Sequence, residues 1–412
     1  MRNYKSRQAI VLLTALLSLM LLGTDVAQAT SVSGRFGLWS YVRDDAVDHV
    51  QVVPLLNLNV HRFGNGDWSF ESTLRGFADY QNGDDNGTST IRVSRALLIW
   101  KPQMSRWEVR GGQQWLTEGI GRGNVAGLWG AYKFSNKVDL RAYAGSRLAS
   151  SLSLDEENPD QGVAAGFNLR TKFGPRRLSL SYYNVSKDGD ILYNGAGLDY
   201  YCTSIRDLSM RARLHMNLEQ SAIETGQITA NWEAVDDLLI TADVRTQTPR
   251  IFEDSFFAMF LEESKTNSAR LGAHWEFDDD DSYLTCMGYT IFTEEDMLYK
   301  VRAGIGDKGG EIGYTHWLSA DKGDMDGFYG ETRFDYKTLE ATLGFDYSRG
   351  SNSEIRPNTE DQVIFAGVEW SPLKSLTLGA RGEHLKDPEH TEDWRALFSL
   401  MTNFRSKVRS GS

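Results

Sequence analysis

After residue 30 no stretch of this sequence sustains a helical period of 3.6, while a period of two recurs to the end of the chain. The clearest run is Leu208, Met210, Ala212, Leu214 and Met216, alternating with Ser209, Arg211, Arg213, His215 and Asn217. Successive side chains of a strand point to opposite faces, so one face here is apolar and the other carries three potential cations. Val163, Ala165, Phe167, Leu169 and Thr171 alternate in the same way with Ala164, Gly166, Asn168, Arg170 and Lys172. The pattern returns at Leu238 to Arg245, Leu339 to Ser348, Leu56 to His61 and Trp394 to Phe404. A soluble sandwich would turn the polar face to water and the apolar face to a core. A membrane barrel would turn the apolar face to lipid and the polar face to a wet lumen. Three segments, 91–100, 125–134 and 297–317, carry apolar residues on both faces.

The connections separate the two architectures. Tight breaks fall at Gly64 to Asp67, Pro102-Gln103, Ser135-Asn136, Gly174-Pro175 and Ser204 to Asp207. They continue at Glu233 to Asp237, Asp278 to Asp281, Gly306 to Gly309, Tyr336 to Thr338 and Ser371 to Lys374. Between them lie looser, polar connections: 44–49, 81–89, 117–124, 147–161, 187–191, 217–223, 248–265, 293–296, 319–326, 349–360 and 386–391. Tight and loose connections alternate strictly, which is the asymmetry of an outer-membrane barrel and has no cause in a sandwich or propeller. The expected fold is all-β: a transmembrane, antiparallel, up-and-down β-barrel with short periplasmic turns and longer outer loops. About 22 strands of ~11 residues with their turns and loops account for ~380 residues, and the weak segments leave 20 or 18 strands as alternatives.

Composition agrees. The mean hydropathy of −0.42 excludes a helical membrane protein, which needs repeated apolar runs of roughly 20 residues. With 44 basic and 56 acidic side chains the chain lacks the basic face of a nucleic-acid binder, and no nucleic-acid partner is expected. Residues 1–29 read as a cleaved signal peptide: Arg2, Lys5 and Arg7, an apolar run from Ala9 to Leu22, then Ala27-Gln28-Ala29. Residues 30–412 read as one barrel domain. The two cysteines, Cys202 and Cys286, read as small apolar residues on separate strands.

With this leader, these alternating strands and the closing segment Trp394 to Phe404, the sequence resembles the porin-like branch of the Gram-negative outer-membrane β-barrels. The resemblance implies export to the cell outer membrane, contact with its lipid, and insertion by the barrel-assembly machinery. Members usually end on an aromatic residue that this machinery reads; Phe404 fits, with Arg405 to Ser412 following it.

Inward-facing charges are expected two residues apart, where they share a face: Glu108 and Arg110, Asp139 and Arg141, Asp243 and Arg245, Glu331, Arg333 and Asp335, Arg381 and Glu383, with Glu71 and Arg75 one step further. The expected pore-lining set is Arg170, Lys172, Arg211, Arg213, His215, Asp243, Arg245, Glu331, Arg333, Asp335, Arg381 and Glu383. Within it, Arg170, Lys172, Arg211, Arg213 and Arg245 could form a selectivity-setting ladder, set against the plainer reading of a solvated wall whose charges satisfy one another. Acidic clusters in the outer loops, such as Asp155, Glu156, Glu157 and Asp160, lack the spacing of a calcium loop. The seven histidines show no zinc-binding spacing, so neither metal, cofactor nor enzymatic activity is expected. Phe252, Phe256, Phe257, Met259, Phe260 and Leu261 crowd the connection 248–265, either as part of an aromatic girdle or as an inward constriction or a surface for a partner.

Two functions compete at this stage. One is diffusion of small hydrophilic solutes or ions through a porin-like channel. A TonB-dependent transporter is disfavoured, because Gly34 to Val42 already reads as the first strand where that family carries a plug. The other starts from bore: barrels near 22 strands are normally plugged, and no plug is apparent. Such a barrel could sheathe a separate lumenal or periplasmic multihaem cytochrome in an electron conduit.

Overall fold

Each alternating segment forms a strand, and nearly every strand pairs with the next in sequence. The computed structural model describes residues 31–44, 49–63, 66–81, 88–148, 152–153, 161–248, 265–277, 282–292, 297–319, 323–351, 360–386 and 393–407. The expected signal peptide, the acidic residues at 45–48, 84–85, 155–160 and 294–296, the phenylalanine-rich stretch and Asp278 to Asp281 lie outside these residues.

The first strands are β1 (Ser31–Asp44), β2 (His49–Phe63), β3 (Trp68–Gln81), β4 (Thr88–Trp100), β5 (Trp107–Glu118), β6 (Gly121–Lys133), β7 (Val138–Leu148) and β8 (Leu152–Ser153). Next come β9 (Val163–Phe173), β10 (Arg176–Lys187), β11 (Asp190–Ile205), β12 (Leu208–Asn217), β13 (Ala222–Val235), β14 (Leu238–Gln247), β15 (Thr266–Glu276) and β16 (Tyr283–Phe292). The series ends with β17 (Met297–Asp307), β18 (Gly310–Ser319), β19 (Gly323–Tyr336), β20 (Leu339–Ser351), β21 (Glu360–Leu373), β22 (Leu376–Lys386) and β23 (Asp393–Lys407).

β1 pairs antiparallel with β2 on one side and with β23 on the other, from Ser31↔Lys407 to Asp44↔Trp394, so the sheet closes on itself. The wall is an antiparallel barrel of 22 strands. Only the two-residue β8 stands apart from the series, and β7 pairs directly with β9. The three weak segments keep their strands, so neither smaller count applies. Closure pairs the strands all round the wall, as a strand structure needs in hydrocarbon, with one interruption where β4 and β5 separate.

The two faces of the wall differ as the alternation requires. Phe167, Leu169, Leu180, Leu198, Leu214, Ile228, Val244, Leu271, Ile305, Ile312, Leu343 and Phe398 are exposed, and they lie on the outer face. Aromatic rings rim the outer face beside the tight turns: Trp68 packs near Trp100, and Trp107, Tyr132 and Phe134 form a second group, with Trp275 against Phe277 further round. Such rings favour the boundary between lipid and water. Cys202 is buried and Cys286 exposed, on β11 and β16, and no disulfide joins them.

Candidate functional site

The most buried part of the molecule lies inside the barrel. β5 pairs with β4 only from Trp100↔Val109 to Ala96↔Gln113, and then leaves it. Above that point β4 pairs with β8 instead, at Arg92↔Ser153 and Val93↔Leu152. β5 and β6 remain paired with each other up to Glu118↔Gly121, and β6 stays paired with β7 as far as Asn124↔Leu148, so what leaves the wall is the end of β5 and the tip of the hairpin. Gly112 marks the departure: its φ is +122°, and a Cβ there would lie 2.0 Å from the Ala96 carbonyl oxygen, so only glycine fits. One residue on, Gln113 Nε2 donates to the Val93 carbonyl at 2.6 Å, a side-chain bond where the β4–β5 ladder has ended.

The hairpin tip crosses the inner faces of β9, β10 and β11. Ile120 is fully buried there, and its N–H donates to Ser181 Oγ on β10 at 3.0 Å. It sits over Gly197 of β11, where an added Cβ would come within 3.1 Å of Ile120 and 2.6 Å of Ser181 Oγ. Leu116, Val125, Trp129, Tyr143, Ala164, Tyr183, Val185 and Tyr193 complete an apolar cluster between hairpin and wall. The connection expected at 117–124 as an outer loop is therefore the end of an inserted hairpin. Its signal was Val125 and Trp129 on one face of β6 and Leu128 and Tyr132 on the other: one set meets this cluster and the other lies on the outer face.

Glu118 fastens the tip. Its side chain is only 7% exposed and is met from four sides. Arg141 Nη1 (3.1 Å) and Trp129 Nε1 (3.2 Å) donate to Oε1, while Arg170 Nη2 (2.6 Å) and Asn168 Nδ2 (3.4 Å) donate to Oε2. Buried charge is tolerated only when paired and hydrogen-bonded in this way. Nothing in the spacing of the sequence had singled out Glu118. The opposite face of the hairpin is open, with Trp115 61% exposed.

The expected wall residues divide into groups. Arg170 lies under the hairpin on Glu118. Arg213 Nε is 2.9 Å from Asp199 Oδ1, and the buried His215 has Nε2 3.5 Å from Asp199 Oδ2. Arg333 meets Asp335 (3.3 Å) and Glu340 (2.6 Å), and Arg381 meets Glu383 (2.8 Å), while Glu331 makes no ion pair among the described residues. Lys172 and Arg211 have no carboxylate partner among the described residues. Two expected pairs do not form: Asp243 accepts from Gln227 Nε2 and Thr229 Oγ1, leaving the buried Arg245 Nε unpartnered, and Glu71 pairs across the ladder with Arg95 at 2.6 Å in place of Arg75. Thr229 faces Asp243 directly, and Arg95 is a diagonal cross-strand neighbour of Glu71, whereas Arg75 lies four residues along the strand and out of reach.

The far side of the barrel carries cations on aromatic faces. Arg302 lies 3.6 Å over the Tyr329 ring, Lys300 4.0 Å over Trp317, and Arg381 4.1 Å over Phe365. Glu311 accepts from the hydroxyls of Tyr283 (3.1 Å) and Tyr329.

No family profile and no curated protein matches the sequence. Among solved structures the chain is similar to the P pilus usher (PapC) translocation pore, with a TM-score of 0.57 and 11% identity over 90% of this chain and 99% of that one. It is also similar to OccK3 (OpdO) of Pseudomonas aeruginosa (TM-score 0.43, 9% identity, 94% and 99% covered) and OccAB3 of Acinetobacter baumannii (0.41, 8%, 91% and 99%). At this identity the usher likeness is one of fold. The molecule has the fold of an outer-membrane β-barrel, with part of its own chain inside.

Proposed function

We propose that the protein is an outer-membrane channel through which small hydrophilic solutes or ions diffuse, its bore narrowed on one side by the β5–β6 hairpin. The observation that carries this reading is the contrast of faces: a closed wall apolar outside and charged inside, with an interior element that fills only one sector. The P pilus usher PapC, which has a similar fold, is a translocation pore. Arg170, Lys172, Arg211, Arg213, His215, Asp243, Arg245, Glu331, Arg333, Asp335, Arg381 and Glu383 line the pore in this proposal, but they do not act alike. Arg170 positions the hairpin, whereas Arg333, Arg381 and Glu383 meet the solute path. The barrel sits in outer-membrane lipid and reaches it by way of the barrel-assembly machinery. The alternative, a sheath around a separate cytochrome, has no observation in its support. We assign no enzymatic role.

Planar-bilayer recording of the purified protein tests the proposal. Steady ohmic conductance with stepwise insertion is expected, and bilayers that stay silent at verified protein incorporation would overturn it.

A further inference from the structure

Among the described residues two pairs of arginines stand on directly facing positions of the inner wall. At the closing seam Arg43 of β1 faces Arg395 of β23, and Asp393 Oδ2 accepts from both, at 3.1 and 2.8 Å. On the neighbouring sector Arg75 of β3 faces Arg92 of β4. No carboxylate meets either of these two among the described residues; they share the Phe77 ring, 4.6 and 5.9 Å from its centre. Like charges on facing positions repel, so the second pair lacks the counter-charge that the first contains. A β-bulge builds it. Thr73 faces Arg95 and Leu74 faces Val93, with Ser94 left over, and this shift turns Arg92 and Arg95 to the same face although they are three residues apart. Glu71 then satisfies Arg95 at 2.6 Å and leaves Arg92 to Arg75. Lys172 and Arg177 also face each other, but both are exposed beside the Gly174-Pro175 turn.

Resting on the channel reading, we propose that Arg75 and Arg92 bind the phosphate of a phosphate monoester moving along this wall, with Trp39 receiving a flat group carried on the ester, as in a nucleoside monophosphate. The phosphate of such an ester carries a charge of about −1.5 to −2 at pH 7, which suits two guanidinium groups, and their planar donor forks match its oxygens. A monocarboxylate would leave one arginine without a counter-charge. The place for the flat group lies in the same row of the ladder. Arg75 faces Leu55 of β2, and Leu55 faces Gly37 of β1. The far edge of the Trp39 indole covers Gly37, where an added Cβ would lie 2.5 Å from Cη2. Two strand spacings, about 10 Å, separate Gly37 from Arg75. A base joined to its phosphate through a sugar bridges such a gap, and any base can stack on an aromatic ring. Inorganic phosphate would meet the arginines but leave Trp39 without a role.

Calorimetric titration of adenosine monophosphate into the folded barrel in detergent tests this without requiring the pore to conduct. Saturable binding is expected, with inorganic phosphate weaker and adenosine weaker still. Arg75→Gln and Arg92→Gln should each weaken binding of the nucleotide by about ten-fold, the loss of one charge-assisted contact. Phe77→Glu gives the pair an internal carboxylate, as Asp393 does at the seam, and should abolish binding with both arginines in place and the barrel still folded. Trp39→Ala should bring the nucleotide down to the affinity of inorganic phosphate. Arg177→Gln, which removes a cation elsewhere on the wall, should change nothing. Absent nucleotide binding would overturn the proposal, as would adenosine binding as tightly as its phosphate, or Arg177→Gln costing as much as Arg92→Gln. Full affinity in Trp39→Ala or in Phe77→Glu would overturn it as well. In bilayers the nucleotide should cause brief blockades that Phe77→Glu lacks. Silent bilayers with intact binding would sink the channel reading and leave the site standing; conductance without nucleotide binding would do the reverse.

Discussion

On the β5–β11 side of the lumen a carboxylate, Glu118, is buried between two guanidinium groups under a hairpin, with an apolar cluster around it. On the β17–β22 side Arg381 is 45% exposed and lies beside Glu383 and over the Phe365 ring, open to the lumen. The pairs are chemically alike, yet the first is part of a packed core and the second of a wetted wall. An exposed ion pair is worth ~0–1 kcal/mol, while breaking a buried one costs about 3–5 kcal/mol, because a charge is left without its partner. The same residue types therefore hold structure on one side and face an open lumen on the other.

The strongest way to break this contrast is to remove the hairpin. Replacing residues 113–126 by an Asn-Gly turn, which joins the paired Gly112 and Gly127 through a two-residue hairpin connection, should raise single-channel conductance several-fold. The barrel should still run as a compact, heat-modifiable species on gels, because closure through β1 and β23 does not involve the hairpin. Unchanged conductance in such a folded barrel would place the hairpin outside the path of the current.

A single substitution should come next in effect. Glu118→Gln keeps the shape but leaves Arg141 and Arg170 without their shared counter-charge. Docking of the hairpin should weaken by up to about 3–5 kcal/mol, less to the extent that Arg141 retains Asp139 at 3.0 Å. The expected result is a noisy channel with excursions to the conductance of the truncated barrel, and faster proteolysis near Gly112. A quiet trace with the parental conductance would mean that the apolar cluster alone holds the tip.

Much of this molecule was legible from alternation and turns, including the strand total, the tight connections among the described residues and the outward Leu208, Leu214 and Phe398. Period two says which residues share a face, but not whether the inner face meets water or protein. Val125 and Trp129 on β6, and Leu97 on β4, made their segments look ambiguous because their inner faces are buried as well. The two-residue spacing rule found Arg381–Glu383 and Arg141–Asp139. It failed for Asp243 and Glu71, whose cross-strand neighbours are set by register, a quantity that no single strand contains.

A matched pair of glycines sharpens the comparison at a smaller scale. Gly197 lies under Ile120, and an added Cβ would come within 2.6 Å of Ser181 Oγ and 2.9 Å of His215 Cδ2. Gly367, on the inner face of β21, would place a Cβ no closer than 3.7 Å to anything. Gly197→Ala should therefore cost about 1–3 kcal/mol by overpacking, read as a lower thermal transition of the folded barrel and a looser hairpin. Gly367→Ala should leave both unchanged. Equal sensitivity at the two positions would show that the hairpin seat is no tighter than the open wall.

The smallest effect expected is electrostatic, and it separates the two kinds of arginine. Arg381→Gln removes a cation facing the open lumen and releases Glu383 from its pair, so the local field becomes more negative. The reversal potential under a KCl gradient should shift slightly toward cations, with a stability change below about 1 kcal/mol. Because screening acts over about 8–10 Å at physiological ionic strength, the shift should shrink as salt rises. Arg170→Gln should behave differently. Its charge is neutralised by Glu118 beneath the hairpin, so its loss should appear as hairpin noise at any salt concentration, and not as a salt-dependent change in selectivity. If Arg170→Gln shifted the reversal potential as Arg381→Gln does while the trace stayed quiet, Arg170 would belong to the solute path, and the division of the lumen into a packed side and a wetted side would fail at its central residue.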